Sequence, residues 1–306
     1  MERNKIEKNF FSKILLFGEY SVIQHSKGLC MPYTLFDGKL TFRRDNSSVI
    51  DPELKAFSQF LKQLQDSNQL IFAFDVTSFE FDISQGLYFD STIPQGYGVG
   101  SSGALVAAIF DRYHQENTAT LDTTRLKKIF AQMESHFHGA SSGVDPLISY
   151  LNSPILIHSK SDLGAVRLPE FKTGKGGIFL LNTKRSRKTE PLVNLFLEKI
   201  SNQSFNDLCE ETLKPITNNC IESFLNAQTD VLFENFEKLS QFQFEHFSPM
   251  IPKLYRKVWE DGLKSSDYYL KLCGAGGGGF LMGITSDFQK VKRSLATHEI
   301  RLFLNF

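Results

Sequence analysis

Three glycine-rich stretches hold the residues whose types and spacing could do chemistry. The first runs Pro94, Gln95, Gly96, Tyr97, Gly98, Val99, Gly100, Ser101, Ser102, Gly103, Ala104. Glycines at alternate positions let backbone N–H groups turn inward around an anion, because no Cβ blocks the approach. A helix is predicted to follow, and it would aim its free N–H groups and positive dipole end at the same point. The hydroxyls of Ser101 and Ser102 could reach an anionic oxygen or a magnesium ion. The second stretch holds Glu134, His138, Gly139, Ser142, Gly143 and Asp145. Two carboxylates on either side of a Gly/Ser turn can converge on one pocket, one for a metal and one for handling a proton. Alternatively, Asp145 followed by Pro146 simply caps a helix. The third stretch, 274–279, has five glycines in six positions between two apolar runs. It is either a flexible loop or a backbone that closes tightly on a ligand, and its high entropy cost favours the second.

Other chemistries find little support. No Gly-Lys-Ser/Thr of a Walker A loop is present, and the GxGxG spacing with Pro94 just before it is not a dinucleotide fingerprint. His136 and His138 point to different faces of a helix and lack a third ligand at zinc spacing. The four cysteines, Cys30, Cys209, Cys220 and Cys273, form no CxxC pair and read as reduced thiols.

The elements that must position these residues can be read from periodicity. Residues 10–17 are predicted to be a strand ending at Gly18 and Glu19. Residues 33–43 are predicted to be a second strand, broken at Asp37 and Gly38 by a hairpin-type pair. A helical stripe covers 52–65. Alternation of Phe72, Phe74 and Val76, and then of Phe79, Phe81 and Ile83, predicts two strands. Helices are expected from Ser101 onward, over 122–137, and from Asp145. Residues 168–177 are rich in Gly, Pro and Lys and predict a linker. Beyond it come a strand at 178–182, mostly helix over 190–264, and strands at 268–273, 280–284 and 300–304. Such alternation suggests an α+β second domain.

At 306 residues the chain has room for one large domain or two ordinary ones. Hydrophobic residues at 41% and charged residues at 22% indicate a folded globular protein, and most of the 29 Phe must fill its core. With 34 basic and 34 acidic residues, no overall field favours nucleic acid or an anionic membrane. No apolar run approaches the roughly 18 residues of a membrane helix. The opening residues lack a sustained apolar region and cleavage site, so the expectation is a cytoplasmic protein.

The order PxGxGxGSSGA, then ExxxHGxxSGxD, then GAGGGG resembles the GHMP kinase superfamily. The opening stretch from Lys13 through Gly18, Glu19 and Tyr20 adds a fourth element. Within the superfamily the chain is most similar to the mevalonate kinases, through the middle motif and through 182–189, which resembles NTKxxRxT. It departs from them in having Phe10, Phe11 and Ser12 before Lys13, where Ala-Pro-Gly is usual, and Tyr20 where His is usual. The resemblance implies a two-domain α+β fold. Residues 1–172 would form a nucleotide-binding domain like the second domain of ribosomal protein S5, and 173–306 a ferredoxin-like domain. It implies ATP and Mg²⁺ as cofactors and phosphorylation of mevalonate, with phosphomevalonate kinase as the alternative and a diphosphomevalonate decarboxylase or a silent relative less favoured. By the same resemblance, Pro94, Gly96, Gly98, Gly100, Ser101 and Ser102 hold the ATP phosphates, and Ser102 and Glu134 hold the metal. Asp145 handles the hydroxyl proton and Lys13 pairs with it. Glu19, Tyr20 and Thr189 contact the substrate, while Gly274, Ala275, Gly276 and Gly277 close over it. The implied partner is the small-molecule substrate alone, with the chain as a monomer or homodimer.

Overall fold

The computed structural model describes residues 8–43, 49–117, 121–159 and 162–306. The chain divides into two compact units. The first comprises the described residues up to Lys13, Met31–Pro94 and Val99–Ser153. The second comprises Ile14–Cys30, Gln95–Gly98 and Pro154–Phe306. Strands β1 (Phe10–Phe17) and β2 (Gly28–Phe42) each cross from one unit to the other along the chain.

In the first unit, β1 lies beside β2, whose far end pairs antiparallel with β3 (Leu87–Ser91). Asp37 and Gly38 make no hairpin, because β2 continues through them. Gly38 is needed for packing instead: a Cβ there would stand 2.3 Å from the Phe89 ring. Among the described residues five helices belong to the unit: α1 (Pro52–Asp66), α2 (Val76–Ser84), α3 (Ser101–Tyr113), α4 (Thr123–His138) and α5 (Val144–Leu151). Asp51 caps α1 and Asp122 caps α4 through their side chains. Helix α3 is almost wholly buried and packs on α4 and α5. Phe110 lies 5.0 Å from the Phe130 ring and 5.3 Å from that of Tyr150. The two strands expected from the Phe alternation are not formed. Phe74 makes one isolated bridge to His114, and 76–84 is helix α2. Val76, Phe79 and Ile83 also recur at helical spacing and are buried, whereas Phe81 is turned out at 62% exposure. Asp75 decides between the two periods by accepting from the Ser78 N–H at 2.9 Å.

In the second unit, the Gly28–Cys30 end of β2 pairs with β4 (Ile155–Ile157), which pairs with β5 (Leu163–Ala165). Residues 166–176 are irregular. A four-stranded antiparallel sheet follows, in the order β7 (Tyr269–Leu272), β8 (Phe280–Thr285), β6 (Gly177–Asn182), β9 (Glu299–Asn305). Its register sets Phe179 opposite Gly283, where any Cβ would enter the Phe179 ring. The unit's described helices are α6 (Glu190–Ile200), α7 (Gln203–Leu208), α8 (Lys214–Leu225), α9 (Thr229–His246), α10 (Arg256–Ser265) and α11 (Phe288–Ser294), of which α9 packs on β7 and β8 and α10 on β7. Edge-to-face contacts from Phe17 to Phe224 and Phe236 form its aromatic centre. Among the described residues no helix is long and apolar enough to cross a membrane.

The cap at α2 yields a direct test. Asp75→Ala is expected to lower unfolding stability by about 1 kcal/mol, read from the urea midpoint. No change would mean that helical packing alone chooses the conformation of this segment.

Candidate active site

In the first unit the chemistry gathers at the N-termini of α3 and α5. Phe10, Ser12, Ile14 and Leu16 are the buried alternation of β1, so Lys13 projects to the opposite side. Its backbone N–H donates to the Val99 carbonyl at 2.9 Å, tying the strand to the start of α3. Its Nζ stands 2.9 Å from Asp145 Oδ1, with the lysine side chain 12% and the aspartate 33% exposed. Asp145 is therefore not the helix cap. Gly143, at φ 73°, holds that position, and Asp145 sits in the first turn with its carboxylate turned to Lys13. Glycine at 100 permits the arrangement: it is left-handed at φ 81°, and a Cβ there would lie 2.9 Å from Lys13 Cγ. Gly103 lets α3 approach α5, since its Cβ would meet the Asp145 backbone at 2.8 Å. Ser101 begins α3 after Gly100, which has no side chain with which to cap it. Pro94 lies half-buried beyond β3.

Glu134 sits near the end of α4 and is buried. Its Oε1 accepts from Ser102 Oγ at 3.2 Å, and its Oε2 accepts from Ser141 Oγ. Ser102 Oγ also lies 3.0 Å from His138 Nε2. Burial, with the Asp145 charge added, pushes the Glu134 carboxyl up to about 7 against the opposing help of Ser141, Lys13 and Ser102. Two carboxylates facing one lysine leave a surplus of negative charge. The donors are hydroxyl and carboxylate oxygens, the hard set that suits magnesium with phosphate oxygens completing its shell. Among the described residues no cluster of three or more His, Cys, Asp or Glu could hold a metal alone.

In the second unit, residues 182–189 run between the other two glycine stretches. The Arg187 N–H donates to Gly96 O at 2.9 Å, the Gly279 N–H to Arg185 O at 2.7 Å, and the Thr183 N–H to Gly279 O at 2.9 Å. The Arg187 guanidinium lies over bare glycine. A Cβ on Gly98 would be 2.2 Å from its Nη2, and one on Gly274 2.8 Å. Its Nη1 donates to Thr189 Oγ1 at 2.6 Å, while Nε is buried with no hydrogen-bond partner among the described residues. Burial lowers its pKa despite Cys273 and Tyr20 nearby. Gly276 and Gly277 are left-handed, and Gly277 N–H donates to Met250 O at 2.6 Å.

Glu19 and Tyr20, expected on the substrate side, are turned inward. The Glu19 carboxylate is ion-paired with the fully buried Lys271, and Tyr20 donates its hydroxyl to Ala275 O at 2.6 Å. Sequence reasoning missed Lys271 as a partner, and it did not separate Arg187 from its basic neighbours. The available signal was a lysine inside the unbroken apolar run of β7, where no alternation gives it a solvent face. Ser141 was missed too, with no signal beyond its place in the Gly/Ser turn.

This architecture is the GHMP kinase fold. Residues 55–153 match the family model for the GHMP kinases N terminal domain. No curated protein is significantly similar in sequence. Among solved structures, Lactococcus lactis galactokinase complexed with galactose is similar with a TM-score of 0.68 and 15% identity, over 98% of this chain and 93% of that one. Streptococcus pneumoniae phosphomevalonate kinase, in complex with phosphomevalonate and AMPPNP, is similar with a TM-score of 0.65 and 15% identity, over 97% and 98%. L. major mevalonate kinase in complex with R-mevalonate is similar with a TM-score of 0.62 and 15% identity, over 98% and 95%.

The raised Glu134 ionisation predicts a pH dependence. A carboxyl raised from 4.5 to about 7 binds its proton more tightly in the folded state than in the unfolded chain. The stability it contributes is fully present below about pH 4.5 and is lost as pH rises through about 7. In magnesium-free buffer the loss should be on the order of 3 kcal/mol. Glu134→Gln should flatten this fall and raise the thermal midpoint at about pH 8. An equal fall in wild type and variant would assign the dependence to another group.

Proposed function

We propose that the chain is an ATP-dependent kinase that phosphorylates a hydroxyl of a small molecule, with mevalonate as the first candidate. The observation that carries this reading is the Lys13–Asp145 pair at 2.9 Å, set between the Gly100 turn and Ser102 at the start of α3. Asp145 is positioned to orient the acceptor hydroxyl and take its proton, and Lys13 to stabilise charge on the transferring phosphoryl. Backbone N–H groups of 96–102 are assigned the nucleotide phosphates. Ser102 and Glu134 are assigned Mg²⁺, which when bound neutralises charge on the phosphate oxygens. Residues 1–172 are accordingly read as the nucleotide-binding domain and 173–306 as the C-terminal domain.

Substrate choice turns on the basic stretch. Lys184, Arg185 and Lys188 are exposed, and Lys184 faces Glu299 at 3.8 Å. Arg187 alone of the four is largely withdrawn from solvent, with Thr189 on its Nη1. One inward cation supports an acceptor with a single carboxylate over one that also carries a phosphate, which needs several charge-assisted donors. The fold is equally that of a phosphomevalonate kinase, so that substrate is the second reading. The four cysteines are all buried as thiols, which suits a reducing, cytoplasmic location.

An ADP-release assay tests both levels. Mevalonate should give a larger kcat/KM than phosphomevalonate, galactose or homoserine, and excess EDTA should abolish turnover. Asp145→Asn should fold normally and lose roughly 10²-fold or more in kcat. A near-normal rate in that variant removes the proton-handling role. A larger kcat/KM for phosphomevalonate replaces the acceptor and leaves the kinase reading in place.

A further inference from the structure

The second unit contains a charged pair that the proposed reaction does not use. Lys271 lies within β7, its side chain 0% exposed, and its ion-pair partner Glu19 is 1% exposed. Lys271 Nζ also donates to Leu272 O at 2.7 Å and stands 5.7 Å from the Phe17 ring centroid. Burial pushes the Glu19 carboxyl up, while Lys271 and the N–H groups of Glu19 and Gly274 favour its charged form. Glu19 Oε2 is nevertheless buried without a hydrogen bond of its own among the described residues. Desolvating both ions can exceed their mutual attraction, and well-packed apolar residues of similar volume often do as well or better. Stability alone is therefore a poor reason for this pair.

Its position gives a better one. Glu19 sits between Gly18 at φ 123° and Tyr20 at φ 62° and ψ −39°, a positive-φ backbone that is strained for a bulky residue. Lys271 and Leu272 lead directly into the glycine loop, whose Gly274, Gly276, Gly277 and Gly279 all have positive φ. The 18–20 turn grips the start of that loop twice. The Gly274 N–H favours the Glu19 carboxylate, and the Tyr20 hydroxyl holds Ala275 O at 2.6 Å. Gly274 in turn lies against Arg187 Nη2. Tyr20 is fixed from behind by Phe196, at 4.7 Å between ring centroids, and by Phe247, at 5.2 Å.

We propose that Glu19 and Lys271 form a positioning pair, seconded by Tyr20, that holds the 274–279 loop in one conformation, and that none of the three contacts substrate. The effect on turnover rests on the kinase reading above, whereas the effect on the loop does not.

The test combines amide hydrogen exchange of 274–279 with steady-state kinetics on the full chain. Glu19→Leu/Lys271→Met removes both charges and keeps an apolar volume. Its thermal midpoint should match or exceed wild type, while exchange at 274–279 rises roughly 10-fold or more. Its kcat should fall by a similar factor, with the acceptor KM shifted less than about 3-fold. Should that variant fail to fold, Tyr20→Phe removes only the hydroxyl on Ala275 and should raise exchange at the same amides. The charge swap Glu19→Lys/Lys271→Glu should recover more protection than Lys271→Met alone. Wild-type exchange at 274–279 in either the folded double variant or Tyr20→Phe overturns the proposal. So does a loss confined to the acceptor KM, which would return Glu19 and Tyr20 to substrate binding. If wild type phosphorylates none of the acceptors, the kinase reading fails and the exchange data still decide the anchoring.

Discussion

The contact between Lys13 and Asp145 sets the terms for the rest of the first unit. It joins the middle of β1 to the first turn of α5, and it is possible only if three backbones approach closely. The Lys13 N–H must find Val99 O, Gly100 must turn left-handed beneath the lysine stem, and Gly103 must admit the Asp145 backbone. A side chain at either glycine would push α3 away from α5 or Lys13 away from its partner. With Asp145 a third exposed, the pair itself adds only modestly to stability. Its importance lies in placement, because it points a carboxylate and an ammonium group at the open end of α3, where the helix offers unpaired N–H groups.

Each unit holds a charged group that its neighbours do not fully compensate. In the first, Glu134 and Asp145 face one lysine, and the Glu134 carboxyl is pushed up to about 7 chiefly by its burial, with the Asp145 charge adding to the rise. Ser102 and Ser141 orient the carboxylate without neutralising it. In the second, Arg187 is largely withdrawn from solvent, its Nε has no hydrogen-bond partner among the described residues, and its guanidinium lies against Gly98 and Gly274. Buried groups in this state are expensive unless a ligand completes them, which is why such arrangements concentrate at functional sites.

Much of this was legible in the sequence wherever one residue type admits one physical reading. The alternate glycines before Ser101, the carboxylates flanking a Gly/Ser turn and the five glycines of 274–279 all lie at ordered, tightly approached backbone. Elements were harder where two periods fit one run. The Phe-rich segment 72–83 satisfies both a two-residue and a helical spacing over its short length, and the Asp75 cap chooses the helix. Asp37 and Gly38 read as a turn because composition cannot show that Gly38 is small to admit the Phe89 ring. Residues acting across long sequence separations were least visible. Nothing local marks Lys271 as the partner of Glu19, nor Arg187 among four neighbouring cations as the one turned inward.

A loop of five glycines loses more conformational entropy on ordering than almost any other six-residue segment. Its order must therefore come from neighbours that are themselves fixed. The second unit supplies them on every side: Met250 O holds the Gly277 N–H, Arg185 O holds the Gly279 N–H, and Thr183 closes on Gly279 O through both N–H and hydroxyl. At the loop's entrance the anchors are Tyr20, with its hydroxyl on Ala275, and Glu19, locked by a lysine that has no route to water. The residues that keep this backbone in place thus lie outside the glycine motif, in the stretch after β6, at Met250 beyond α9 and in the turn that follows β1. The motif supplies permission for positive φ, and the surrounding chain supplies the conformation.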